Sequence, residues 1–296
     1  MGSVLVPKLL QLGYSVLVMD IMWFGNNLPE HRDLTVSRCD IRNAIIPKDV
    51  KAVIHLAAVV DDPTSELNHE QTWEIGALGT QRMCRQALNA GALQFIHASS
   101  GSVYGVNTEG IETTELNPFS YYNKVKMVAE RVALSYRDEM VVQIIRPASI
   151  CGLSPRMRLE VTVNQYTIQA LDTGKINVYG GARIHPNVHI EDITDLYIHM
   201  LRNPHHTGVF NSTVENIKKL QIAEKVAAIT GAEIIVRETS DIRSYPMNDN
   251  KIRAIGFTPL LDIDHAIADL CAAYRNGLLK NEDRHYNLRV MKVNNA

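Results

Sequence analysis

Gln94-Phe-Ile-His-Ala98 runs directly into Ser99-Ser-Gly-Ser-Val-Tyr-Gly105. A short apolar run that ends in small hydroxyl residues and glycine reads as a buried parallel strand giving way to a turn. Ser15-Val-Leu-Val-Met-Asp20, Ala52-Val-Ile-His-Leu56 and Val141-Val-Gln-Ile-Ile-Arg146 have the same character. Between these runs, residues 3–12, 70–90 and 121–137 carry apolar side chains at helical spacing, with Val125, Val128, Ala129 and Val132 as the clearest stripe. Strand, helix, strand, helix predicts an α/β fold: a doubly wound parallel sheet joined by right-handed crossovers. Past Arg146-Pro147 the rhythm loosens. Loops are expected around residues 151–158, 180–189 and 203–213, with helices at about 160–173, 217–230 and 263–274.

Composition bounds the function. The 296 residues are 46% hydrophobic and 21% charged, an ordinary globular mix that excludes wholesale disorder. Lys+Arg number 30 and Asp+Glu 32, a net charge of -2, which argues against a general nucleic-acid binder or a polybasic membrane anchor. The longest apolar runs fall far short of the roughly 18 to 20 residues that span a bilayer. No signal peptide is read at Met1, and the four cysteines (Cys39, Cys84, Cys151, Cys271) are scattered, as expected of reduced thiols in a cytoplasmic protein. The 11 histidines form no metal-ligand spacing, and His205-His206 reads as a solvated loop.

The pattern that carries chemistry is Tyr122-Asn-Lys-Val-Lys126. A spacing of four puts Tyr122 and Lys126 on one face of a helix. An ammonium close by favours the phenolate and is expected to lower the Tyr pKa from about 10, making it an acid or base for a hydroxyl or ketone. A Tyr and a Lys four apart on a solvated helix is the alternative. About 20 residues upstream, Ser99, Ser100 and Ser102 follow the predicted strand at 94–98, and the carboxyl ends of parallel strands are where ligands bind. As turn residues or caps they need no ligand. The run Leu153-Ser-Pro-Arg-Met-Arg158 places two more cations in a loop after a strand, a nucleotide or phosphate contact on this reading.

Ser99-Ser100-Gly-Ser-Val-Tyr-Gly105, Tyr122 to Lys126 with Glu130, and Arg146-Pro147-Ala-Ser-Ile-Cys-Gly152, in that order, resemble the extended short-chain dehydrogenase/reductase superfamily. More narrowly they resemble its NAD-dependent epimerase/dehydratase family, which acts on nucleotide sugars. The likeness runs from Gly2 to about Tyr274. It implies a Rossmann-like dinucleotide-binding domain over residues 1–150 and a mainly substrate-binding domain over 151–296, interleaved with the first. It also implies NAD as cofactor, a nucleotide-diphosphate sugar as substrate, and a homodimer.

The resemblance assigns Ser100, Tyr122 and Lys126 as catalytic. For the cofactor it implies Gly2, Asp20, Asp40, Ile41, Leu56, Ala57, Ala58, Ser99 and Pro147 along with Tyr122 and Lys126. Ser100, Asn164, Arg183 and Arg243 are implied for the substrate. The expected reaction is 4-epimerisation through a 4-keto sugar, with a 4-ketoreductase or dehydratase as alternatives. Against the dehydratase, Gly101-Ser102 stands where that branch carries an Asp-Glu pair. A binding or regulatory protein on the same fold is the non-enzymatic alternative.

Three features depart from the family pattern. Gly2 matches the last glycine of G-x-x-G-x-x-G, so a strand and the first two glycines, about ten to fifteen residues, are expected upstream of Met1. The sheet would then lack a central strand and expose two inner edges. Gly76 stands where the family has an Asn three residues before Gly79-Thr80. His185 replaces an Arg four residues before His189, with Arg183 as its nearest substitute.

Overall fold

The protein, seen in a computed structural model, is described over residues 1–106, 109–240 and 244–294. Helix α1 (Gly2–Gln11) precedes β1 (Val16–Asp20), β2 (Leu34–Arg38) and β3 (Ala52–His55). Helices α2 (Asp62–Ser65) and α3 (His69–Trp73), a π-helical turn (Glu74–Leu78) and α4 (Gly79–Ala90) lead to β4 (Gln94–Ala98). A 3-10 turn (Gly101–Tyr104), α5 (Tyr121–Leu134) and β5 (Val141–Pro147) complete the first half. The second half runs β6 (Ser149–Cys151), α6 (Thr162–Thr173), β7 (Lys175–Tyr179), β8 (Ile184–His189), α7 (Ile190–Arg202) and β9 (Gly208–Ser212). It continues with β10 (Glu215–Lys218), α8 (Lys219–Thr230), β11 (Glu233–Arg237), α9 (Asn250–Ala254), α10 (Ile263–Arg275) and α11 (Asn287–Asn294).

The four strands expected from the first half are present as β1, β3, β4 and β5. The structure adds β2, which the sequence reading left out. It also corrects two of the expected loops: residues 180–189 hold β8, and 203–213 hold β9. Strand β9 crosses back to the first half and pairs in parallel with β5, giving the all-parallel order β3-β4-β5-β9. Strands β1 and β2 form a separate parallel pair. No ladder joins β1 to β3 among the described residues, so the doubly wound sheet is divided at that place.

Packing holds the two parts together. Successive side chains of a strand point to opposite faces, and Phe95 and Ile96 accordingly enter different cores. On one face, Ile96 and Ile145 meet Leu5 and Leu9 of α1 and Ile193, Leu196 and Tyr197 of α7, with Val16 and Ile54 alongside. On the other, Phe95, Val142 and Ile144 meet Met83 and Ala87 of α4, with Met19 and Val53 alongside. Each core therefore takes residues from both sides of the divide. Helix α4 stops at Gly91, whose φ of +81 is a left-handed conformation that favours glycine. A third core, from α6, α8, α10 and β7, fills the second half. No described helix is long and apolar enough to cross a membrane.

One polar network runs through the middle. Arg146 on β5 forms a bidentate pair with Glu130 on α5, Nε–Oε1 2.9 Å and Nη2–Oε2 2.7 Å. Both side chains are almost sealed from water, at 4% and 2% exposure. Ser99 donates to the same Glu130 oxygen. Arg146 also donates to the Tyr104 hydroxyl at 2.9 Å, which donates to Asn211 of β9 at 2.7 Å. Removing one partner strands a buried charge. Glu130→Ala is therefore expected to cost about 3–5 kcal/mol in urea unfolding, whereas a Glu130→Met/Arg146→Leu double variant recovers a large part of that loss.

Candidate active site

Tyr122 and Lys126 occupy the first two turns of α5. Ser120 caps the helix by accepting from the Asn123 N–H at 3.2 Å and is itself anchored by donating to Asp62. Lys126 is buried and donates to the Ala98 carbonyl at 2.7 Å, the last residue of β4. Its Nζ lies 6.0 Å from the centre of the Tyr122 ring. Ser100 follows β4 and caps the 3-10 turn, accepting from the Ser102 N–H at 3.2 Å. Its hydroxyl pairs with that of Ser102 at 2.7 Å, and Ser102 donates to the buried Asn123 at 2.6 Å. The catalytic trio expected from sequence is thus gathered at the carboxyl end of β4.

The electrostatics differ from the expectation. Burial pushes the Tyr122 phenol up to about 12, against the favourable influence of Arg158 and of the nearby Ser100 hydroxyl. Burial also pulls Lys126 down to about 8, offset in part by Glu130. The Lys126 ammonium is engaged with a carbonyl, so the cation acting most on the phenol is Arg158. Arg158 is held by Asp61 and Glu160, each at 2.8 Å. Asp61 has the uncommon backbone φ of +74 and also receives the Asn287 amide at 3.2 Å. Arg158 lies within the sequence run singled out above; Asp61 gave no such signal, because its importance comes from contacts with distant residues.

A cleft lies at the carboxyl ends of β1 and β3, and β3 is the strand paired with β4. Asp20, Asp40, Ile41, Ala57 and Ala58 line it together with Trp23, Phe24, Cys39 and Ile75. Five expected residues are brought to one place, and the two aromatic rings are additions that sequence reading missed. Asp20 is exposed at the end of β1 and accepts from the Met22 N–H at 2.6 Å through one oxygen. Asp40 is gripped by Arg42, whose hydrogen bonds hold its carboxyl below the usual range. Gly2 begins α1, Leu56 and Ala57 follow β3, and Pro147 ends β5. Ser99 is buried against Glu130.

The other expected residues are dispersed. Asn164 is buried and locally engaged, accepting from the Gly152 N–H at 3.0 Å and donating to the Arg158 carbonyl at 2.9 Å. Arg183 lies in the turn between β7 and β8, against Gly180. His185 pairs with Thr162 at 3.1 Å, and burial with Lys219 nearby pushes it down to about 3. Arg243 lies outside the described residues. Gly76 has a packing reason: a Cβ there would collide with Val125 Cγ1. At Gly101 a Cβ would run into Met247 Sδ.

Residues 1–212 match the sequence profile of the NAD dependent epimerase/dehydratase family, and the chain belongs to that enzyme family. It is 22% identical over 305 residues to UDP-glucuronic acid decarboxylase 1 of Xenopus tropicalis, covering 96% of this chain and 72% of that one. Its fold superposes on MoeE5 in complex with UDP-glucose and NAD with a TM-score of 0.84 at 23% identity, over 94% of this chain and 96% of that one. The UDP-glucose 4-epimerase of Thermus thermophilus in complex with NAD gives 0.80 at 20% identity, over 93% and 95%.

Two outcomes test the packing around the site. Gly76→Asn is expected to destabilise by about 1–3 kcal/mol through overpacking, and Val125→Ala added to it to restore part of the loss in denaturant titrations. His55 and His97 stack at 5.4 Å, both buried near Lys126. Burial holds His55 down to about 3 and His97 well below 6.5. The unfolded chain therefore binds more protons below 6.5, so their contribution is complete above that pH and is lost as pH falls toward 3. Calorimetry should show the melting temperature falling through this window, and His55→Gln should flatten the fall.

Proposed function

We propose that this protein is an NAD-dependent nucleotide-sugar 4-epimerase, acting as a cytoplasmic homodimer. The observation that carries this reading is the gathering of Ser100, Tyr122 and Lys126 at the end of β4, with a cleft at the ends of β1 and β3 whose carboxylate acceptors and apolar walls suit a dinucleotide. In that cleft Asp20 keeps a second carboxylate oxygen for a ribose diol, and Ile41, Ile75, Trp23 and Phe24 offer flat apolar surface to an adenine. Ala57 and Ala58 are small enough for close approach. Tyr122 and Lys126, at the end of β4, would face the nicotinamide of a dinucleotide held there.

Bound NAD supplies the chemistry of hydride removal from C4 of the sugar and its return. The protein supplies protons and orientation. Ser100 hydrogen-bonds the sugar 4-oxygen, and Tyr122 takes the hydroxyl proton as the 4-keto sugar forms. The high phenol pKa suits the return step, in which a protonated Tyr122 donates to the ketone oxygen. For the forward step, Ser100 and Arg158 favour the phenolate. Epimerisation then requires the ketone to turn its other face before reduction.

Gly101 favours epimerisation over dehydration. The dehydratase pattern needs acidic side chains directly after the Ser, and the space beside Gly101 is filled by Met247 and the Pro147 carbonyl. UDP-, GDP-, dTDP- and CDP-hexoses incubated with NAD and followed by NMR should reveal a 4-epimer from one of them. Tyr122→Phe should lower turnover about 10²–10⁴-fold while nicotinamide fluorescence still reports cofactor binding. Binding of NAD without conversion of any sugar would overturn the epimerase reading.

A further inference from the structure

The mechanism above leaves Arg156 without a task. It stands in the loop between β6 and α6, two residues before Arg158, and its backbone N–H reaches Ser3 Oγ in the first turn of α1 at 3.4 Å. Its guanidinium lies 4.1 Å over the ring of Phe24, a wall of the Asp20 cleft. One nitrogen donates to Asn287 and another to the Met157 carbonyl, leaving three of the five N–H donors of a guanidinium without such a partner. Arg158 has two carboxylate partners, whereas Arg156 has none within ion-pair distance among the described residues. Burial and the neighbouring Arg158 pull Arg156 down to about 10, so it still carries its charge at neutral pH. Glu160 and Asp61 offset this only in part and from a distance, since both are paired with Arg158. A half-buried cation without a carboxylate in contact is stabilised by an anion that joins it.

Its place identifies the anion. On one side is Phe24, which faces the cleft proposed for adenosine. On the other, two residues along the chain, is Arg158, the cation that acts on Tyr122, which on the cofactor reading would face the nicotinamide. The chemical group that joins the two nucleosides of a dinucleotide is a diphosphate, and a planar fork of donors matches its oxygens. We propose that Arg156 binds the diphosphate of the dinucleotide; this rests on the cofactor reading above and deepens it.

Isothermal titration of the full chain with NAD, ADP, adenosine and UDP tests it. Charge-assisted hydrogen bonds of this kind put the expected weakening of NAD and ADP by Arg156→Gln at about 10- to 100-fold, with adenosine and UDP unchanged. Arg156→Lys, which keeps the stem and the charge, should recover part of the affinity and decides the matter if circular dichroism finds the Gln variant unfolded. Unchanged ADP and NAD affinities would overturn the proposal, as would an adenosine loss equal to that of ADP or a loss confined to UDP, the mark of a sugar-nucleotide contact. In each of those cases the cofactor reading stands, provided the parent chain binds NAD. A parent chain that binds neither NAD nor ADP overturns both.

Discussion

The orientation of helix α5 depends on the pair between Glu130 and Arg146. Tyr122, Lys126 and Glu130 are spaced by four, so they lie along one helical face. Glu130 is fixed to β5 by two hydrogen bonds from Arg146 and to the end of β4 by Ser99. Once that end of the face is fixed, the turns before it follow: Lys126 reaches the Ala98 carbonyl, and Tyr122 comes beside Ser100. The network extends through Tyr104 to Asn211, which donates to the carbonyls of Gly110 and Asn248. A pair so deeply buried is costly in desolvation and adds little net stability. Here the fully satisfied network fixes which face of α5 meets the strand ends.

The divided sheet has its own consequence. Asp20 comes from β1, on one side of the divide, while Ala57 and Ala58 come from the segment after β3, on the other. No ladder spans the two among the described residues, so the cleft walls are held in register by side-chain packing on the two faces of the sheet. Met19 and Val53 in one core and Val16 and Ile54 in the other perform that task. The cleft therefore lies over the divide, at the carboxyl ends of its strands, the position expected of a ligand site in an open parallel sheet.

The parts legible in the sequence are those set by local pattern. Buried parallel strands announce themselves as apolar runs, and β4 and β5 are such runs, hidden on both faces. Strand β2, by contrast, is half exposed, with Thr35 and Val36 open to solvent, and its sequence lacks that mark. Strand β8 contains Pro186 and two histidines, which read as loop until pairing with β6 and β10 makes it a strand. In the site, the spacing of four puts Tyr122 and Lys126 on one helical face, and the buried Glu130 pair turns that face to the strand ends. Asn164 shows the converse: its amide is engaged by Gly152 and the Arg158 carbonyl, contacts that no spacing rule foresees.

The direction of the Tyr122 shift has the same origin. Sequence shows that a lysine is near, but not how deeply either group is buried or where the ammonium points. A charge 6.0 Å from the ring centre and already hydrogen-bonded to a carbonyl cannot outweigh the loss of water around the phenol. On the proposed mechanism, the protein alone thus holds a protonated tyrosine, and Arg158 is the side chain through which its acidity is most readily changed. Arg158 is oriented by Asp61, and Asp61 is held in turn by Asn287 at the start of the last helix. The carboxyl-terminal segment therefore reaches Tyr122 through two hydrogen bonds and one charge, a dependence that follows from packing and not from any motif.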